Sequence, residues 1–242
     1  PLPVPVSPVI RDDVPLGAIA PGEWDALAGN HPFLRHAFLQ ALHETGCASP
    51  SAGWTPRYVT AWDGGRLAGA IPLYAKAHSY GEYVFDWAWA DAYQRHGLPY
   101  YPKLLNAVPF TPVPGPRLLA RDASSRALLL QAMQQFARDA KLSSAHLLFV
   151  DEADQQAARD AGWMMRSTVQ FHWTQREPEP YADFTHFLAS LQRDKRKKIQ
   201  QERRRVMEAG VSFTAHEGAQ IGAADWDFFY RCYTLTYRAH HS

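Results

Sequence analysis

Hydrophobic positions along the chain switch between a helical and a strand period. Pro21 opens a first short helix that ends near Gly29. Pro32 opens a second, with Leu34, Phe38 and Leu42 on one face and Gly46 as its stop. Residues 57–62 and 66–75 are strand-like and joined by Asp63-Gly64-Gly65, a turn that tolerates positive φ. Tyr83, Phe85, Trp87 and Trp89 alternate with Val84, Asp86, Ala88 and Ala90, which predicts a strand with one aromatic face. Residues 104–119 predict a strand interrupted by four prolines. A long helix is expected from Ser124 to Leu142, with Leu129, Met133, Phe136, Ala137 and Ala140 as its buried stripe. Ala145 to Val150 predicts a strand, 151–161 a polar helix stopped by Gly162, and Trp163 to Thr174 a further strand.

Residues 175–182 read as a linker. Beyond them Phe184, Phe187, Leu188 and Leu191 start a helix, and Ile199, Val206 and Met207 carry its apolar thread through a basic stretch closed by Gly210. Val211 to His216 predicts a strand and Trp226 to Tyr237 an aromatic helix. Strands alternating with helices predict an α/β fold, a mixed twisted sheet flanked by helices. The expected division is an extended segment over 1–19, a first domain over 20–174, the linker over 175–182, and over 183–242 the basic helix with an incomplete second copy. An isolated strand and helix cannot bury their own apolar faces.

Composition bounds the class. Apolar residues make up 46% and charged residues 20% of the 242, which suits a globular chain with a sizeable core. No apolar run is long enough to span a bilayer, and the first residues lack a basic n-region, so neither a membrane span nor a signal peptide is expected. Two distant cysteines, Cys47 and Cys232, form no disulfide framework and no zinc site, and point to a reducing cytoplasm. The net charge is +1, yet residues 193–208 carry eight Lys/Arg against three Asp/Glu. That local excess points to an anionic partner.

Two blocks carry a resemblance. His78 to Tyr93 (HSYGEYVFDWAWADAY), with Tyr100-Tyr101-Pro102-Lys103-Leu104 and Val108 to Pro116 (VPFTPVPGP), resembles the bacterial FemAB-like proteins of peptidoglycan biosynthesis/recognition. Arg193 to Gly210 is similar to the segment that opens the second domain of Fem aminoacyltransferases. The resemblance implies a double fold of the GNAT acyltransferase type and transfer of an acyl or aminoacyl group to an amine. Acyl-CoA or aminoacyl-tRNA would be the donor, with no further cofactor required. The acceptor would be a small molecule or a peptide of the cell wall. GNAT enzymes hold the CoA pyrophosphate on a Gly-rich loop entering the long helix. Here Pro112-Val113-Pro114-Gly115-Pro116 stands at that point, and three prolines remove three N–H donors. The donor is therefore expected at the domain interface or in a second domain.

Acylating an amine requires a base to take the ammonium proton, and Glu82 and Asp86 are the candidates. On a strand they would share a face about 13 Å apart, opening onto a cavity. The bland alternative is ion pairing with Arg95, Lys103 or Arg117. Tyr80, Tyr83, Trp87, Trp89, Tyr100 and Tyr101 are candidates to line a substrate groove, against an ordinary core role. Tyr101 and Lys103 are candidates for leaving-group acid and anion contact. Asp91, at the expected strand end, is a candidate contact but fits a turn or cap. In the basic stretch Lys195, Arg196, Lys198 and Arg203 are candidates to bind tRNA, an anionic cell-wall precursor or acidic lipid, against a solvated face paired with Glu202 and Glu208. Eleven scattered histidines show no metal spacing, so no metal is expected. An enzyme, a non-catalytic module for a peptidoglycan-like ligand, and an RNA binder thus remain three readings.

Overall fold

The computed structural model describes residues 8–83 and 85–240. The chain divides into two compact units after Ser167.

The first unit is built on a hairpin. Strands β1 (Val9–Arg11), β2 (Trp54–Asp63), β3 (Arg66–Lys76) and β4 (Lys103–Asn106) pair antiparallel in that order. β5 (Leu119–Ala120) pairs with β3, and β6 (Ala145–Leu147) runs parallel to β4. The segment expected to be merely extended before residue 20 thus supplies an edge strand, although residues 1–7 lie outside the described residues. Helices cover both faces. α1 (Pro21–Ala28) and α2 (His36–Glu44) bury Trp24 and Leu39 with Tyr58 and Leu67. Across the sheet, α4 (Ala123–Asp139) buries Leu129, Leu130 and Met133 with Val59, Ile71 and Leu104. Tyr58 and Val59 enter opposite layers because successive strand side chains alternate. The mixed α/β sheet flanked by helices is the expected class.

Four expected elements differ. Residues 83–90 are not a strand. Gly81, at φ 76°, turns the chain, and α3 (Trp87–Arg95) begins after Asp86. Asp86, Ala88 and Ala90 alternate with the aromatics at a period of two, but alanine is the strongest helix former and the helix prevails. Val84, part of that reading, lies outside the described residues. The proline-broken strand keeps only its two ends, β4 and β5. Residues 163–174 form no strand, and Val169, Phe171 and Trp173 alternate without a ladder partner among the described residues. Residues 211–216 are irregular for the same reason.

The long helix starts later than the proline loop. Asp122 caps α4 and accepts Ser125 N–H and the Ser124 hydroxyl, so a carboxylate already fills the anion position there and is held at about 2 by those bonds. α5 (Glu152–Asp160) follows β6 and packs on α4. In the second unit, α6 (Phe184–Ser190), α7 (Arg193–Glu208) and α8 (Ala223–Ala239) are helical, and no strand occurs among its described residues. The expected second sheet is therefore absent from them.

Gly53, just before β2, sits at φ 71°, and a Cβ there would lie 2.2 Å from His78 Nε2. Gly53→Ala is expected to cost about 1–3 kcal/mol through left-handed strain and displacement of His78, read as a lower urea midpoint at unchanged m.

Candidate active site

β3 ends and β4 begins in a way an ordinary sheet avoids. Lys76 and Lys103 are direct cross-strand partners, both fully buried. Like charges opposite one another destabilise a sheet. Two carboxylates from the 77–86 loop cancel them. Glu82 spans the pair, with Oε2 accepting from Lys103 Nζ at 2.7 Å and Oε1 lying 3.9 Å from Lys76 Nζ. Asp86 accepts from Lys103 as well. Lys103 spends its third proton on Ser79 Oγ at 3.0 Å. Ser79 donates to Asp86, as does the Tyr100 hydroxyl. Having given its proton to Asp86, Ser79 accepts from the Tyr101 hydroxyl at 2.7 Å. Lys76 donates to Tyr80 O at 3.0 Å and lies 3.6 Å from the centre of the Trp54 ring.

The cluster holds two cations and two anions, so it carries no net charge. Burial pushes the Glu82 carboxyl up; Lys103 and Lys76 pull against it, and Asp86 adds to the rise. Burial pushes Asp86 up too, but hydrogen bonds from Lys103, Ser79 and Tyr100 outweigh it and leave Asp86 below its ordinary value. Lys76 falls to about 8, mainly by burial, with Lys103 adding to the fall and Glu82 opposing it. Of the two carboxylates Glu82 is thus the better proton acceptor. Its Oε1 makes no hydrogen bond.

These contacts correct the expected geometry. Glu82 and Asp86 are not far apart on a strand face; both touch one ammonium group. Both are buried, and the Lys103 ion pair weighed as the bland alternative is present. A hollow of about 610 Å³ beside α4 is lined by Ile10, Leu128 and Phe136 among others, and borders neither carboxylate. Tyr101, half-buried, is the member of the Ser79 chain that reaches solvent. Tyr80, Tyr83 and Trp87 are exposed, and with Phe85 and Phe149 form a connected series of ring contacts. Asp91 is neither a turn nor a cap: it lies inside α3 in a surface pair with Arg95.

The four basic candidates all lie on α7. Arg196 donates to Ala189 O, Arg203 covers the Phe184 ring and Lys198 faces Glu202 at 3.9 Å, while Lys195 has no such partner among the described residues. Asp194, Lys197, Lys198 and Arg204, with Gln200 and Gln201, line a hollow of about 530 Å³.

Lys76, Ser79 and His146 belong to the site without being candidates in the sequence, and Tyr100, a groove candidate there, is instead a buried donor to Asp86. His146 lies near Tyr100 and bonds Ser144 at 2.8 Å, and burial with Lys103 lowers it to about 4. The available signal was a lysine closing one apolar strand and another opening the next.

A profile of the FemAB-like family, described as peptidoglycan biosynthesis/recognition, matches residues 15–242. The chain belongs to the FemAB-like family. No curated protein and no solved structure matches it. Among its described residues no group of His, Cys, Asp and Glu is placed to hold a metal, and no helix is long and apolar enough to cross a membrane.

Proposed function

We propose that this FemAB-like chain is an N-acyltransferase that moves an acyl or aminoacyl group onto an amine of a cell-wall precursor, with the amine proton leaving through the buried cluster. The observation that carries the reading is the unbroken set of bonds from half-buried Tyr101 through Ser79 to Asp86, Lys103 and Glu82. The acceptor amine gives its proton to the Tyr101 oxygen as Tyr101 passes its own to Ser79. Ser79 passes one to Asp86, and Lys103 exchanges one for another between Asp86 and Glu82. The net change is one proton from the amine to Glu82, whose proton affinity is the raised one. Burying four charges costs several kcal/mol that apolar residues would save, which favours a chemical role over a purely structural one.

The donor is acyl-CoA or aminoacyl-tRNA. The N-terminus of α4, closed by Asp122, offers no phosphate cradle in the first unit, so donor phosphates are placed elsewhere. A second reading concerns α7. Lys195, together with the hollow where Lys197, Lys198 and Arg204 outnumber Asp194, suits phosphate groups of tRNA or of an anionic precursor.

Transfer to a muropeptide amine, followed by mass spectrometry with each donor, tests the relay. Tyr101→Phe and Glu82→Gln are each expected to lower kcat by about 10²–10⁴ with KM little changed. Wild-type turnover in both would remove the relay.

A further inference from the structure

We propose that Tyr80, Phe85 and Trp87 form an ammonium-binding cage that receives the acceptor amine in its charged form, an inference resting on the transfer reading above. Tyr80 meets Trp87 edge-on at 5.3 Å and 66°, while Phe85 lies nearly parallel to Trp87 at 5.9 Å and 19°. One wall therefore stands across two near-parallel ones. The three rings are exposed by 67%, 52% and 43% in chain order, so faces remain open to solvent. They are braced from outside, Tyr80 by His78 at 5.2 Å and Phe85 by Tyr83 at 6.4 Å, which orders the corner before any ligand arrives.

An exposed aromatic cluster marks a binding surface, and its chemistry narrows the ligand. A ring presents a negative face to an approaching cation. The first unit already uses this attraction, with Lys76 over Trp54 and Lys103 within 5.5 Å and 6.0 Å of the Tyr100 and Tyr101 ring centres. Among the described residues no Lys or Arg lies over Tyr80, Phe85 or Trp87, so these faces lack a cation. His78 does not supply one: burial, with Lys76, holds it below the usual imidazole range. Asp91, one turn beyond Trp87, is cancelled by Arg95. A sugar would need polar side chains around its hydroxyls, and both carboxylates of this loop are turned inward onto Lys103. A cage for the charged amine also suits the chemistry, because loss of the proton weakens the hold on the nitrogen as its lone pair becomes available.

Choline and its neutral isostere 3,3-dimethylbutan-1-ol separate charge from shape, and neither requires turnover. With the whole chain, followed by tryptophan fluorescence and NMR shifts, choline is expected to bind about 5- to 30-fold more tightly, the span of a cation–π contact of about 1–2 kcal/mol. Trp87→Ala and Tyr80→Ala are expected to erase that preference, and Trp87→Phe to keep part of it. Equal affinity for the two probes overturns the cage. So does binding indifferent to Trp87→Ala and Tyr80→Ala, or binding of an N-acetylglucosamine oligomer where choline does not bind. Glu82→Gln tells the two proposals apart. Undiminished transfer in that variant with choline preference intact removes the relay and leaves the cage. Lost choline preference in wild type with transfer still dependent on Glu82 does the reverse.

Discussion

Lys103→Met is expected to destabilise the first unit by about 3–5 kcal/mol, because it strands Glu82 and Asp86 in the interior without the ammonium both depend on. In a unit of this size that corresponds to a fall in Tm of roughly 10 °C. Methionine fills the space of the lysine stem, so the loss is one of charge rather than volume. The double variant Lys103→Met/Asp86→Asn is expected to recover much of the stability, since it leaves Glu82 facing Lys76 as one balanced pair. A double variant no more stable than Lys103→Met would mean that charge balance in the cluster is not what holds the loop.

The pH dependence has a definite sign. In Lys103→Met the stranded carboxyls take up protons on folding, so their folded pKa values lie above the unfolded ones. Stability is then greatest in acid and is lost as pH rises, and the deficit is expected to be smaller at pH 5 than at pH 8. Lys76 in the wild type is the opposite case. Its folded value, about 8, lies below the ordinary 10.5, so the folded state binds fewer protons between those limits. A penalty on the order of 3 kcal/mol, fully present below pH 8, is relieved as pH rises toward 10.5. Lys76→Met is expected to remove that rise, which urea titrations at pH 7.5 and 9.5 would show.

The hairpin and α4 were legible in the sequence because local signals agreed with the fold. Asp63-Gly64-Gly65 supplies the turn, and Leu129, Met133 and Ala137 recur at the helical period on the face that packs against the sheet. The site was legible in its residues and not in its geometry. Glu82, Asp86 and Lys103 stand out in the sequence, but the alternation after residue 82 suggests a strand where Gly81 and the alanines after Asp86 make a loop and a helix. A strand would hold apart two carboxylates that share one ammonium group. Lys76 and Ser79 went unnoticed because their importance lies in a cross-strand register between β3 and β4, a long-range pairing that no local pattern reports. The strands expected at 163–174 and 211–216 had the right alternation, yet a strand needs a partner, and alternation does not provide one.

Asp154→Ala is expected to cost a further 3–5 kcal/mol by a different route. Asp154 is fully buried in the first turn of α5, where its own N–H is capped by Asp151. Its Oδ2 accepts the backbone N–H groups of Arg117 and Leu118, the latter at 2.9 Å, and Oδ1 accepts Arg126 Nε at 2.7 Å. Burial pushes the carboxyl up while these donors pull it down, and all three would be orphaned by alanine. The damage would spread through Arg117. Burial lowers its guanidinium to about 10, and it is held by the carbonyls of Leu148, Val113 and Pro116, so it fastens the proline-rich loop to the end of β6. Asp154→Asn keeps one acceptor but turns an amide N–H₂ toward a donor, and is expected to cost less than alanine, about 1–3 kcal/mol. The prediction is read from urea midpoints, with hydrogen exchange at Arg117 and Leu118 as the local probe. Faster exchange at both amides, exceeding the loss of global stability, is the expected result. Protection there equal to wild type would show that the carboxylate does not carry this junction.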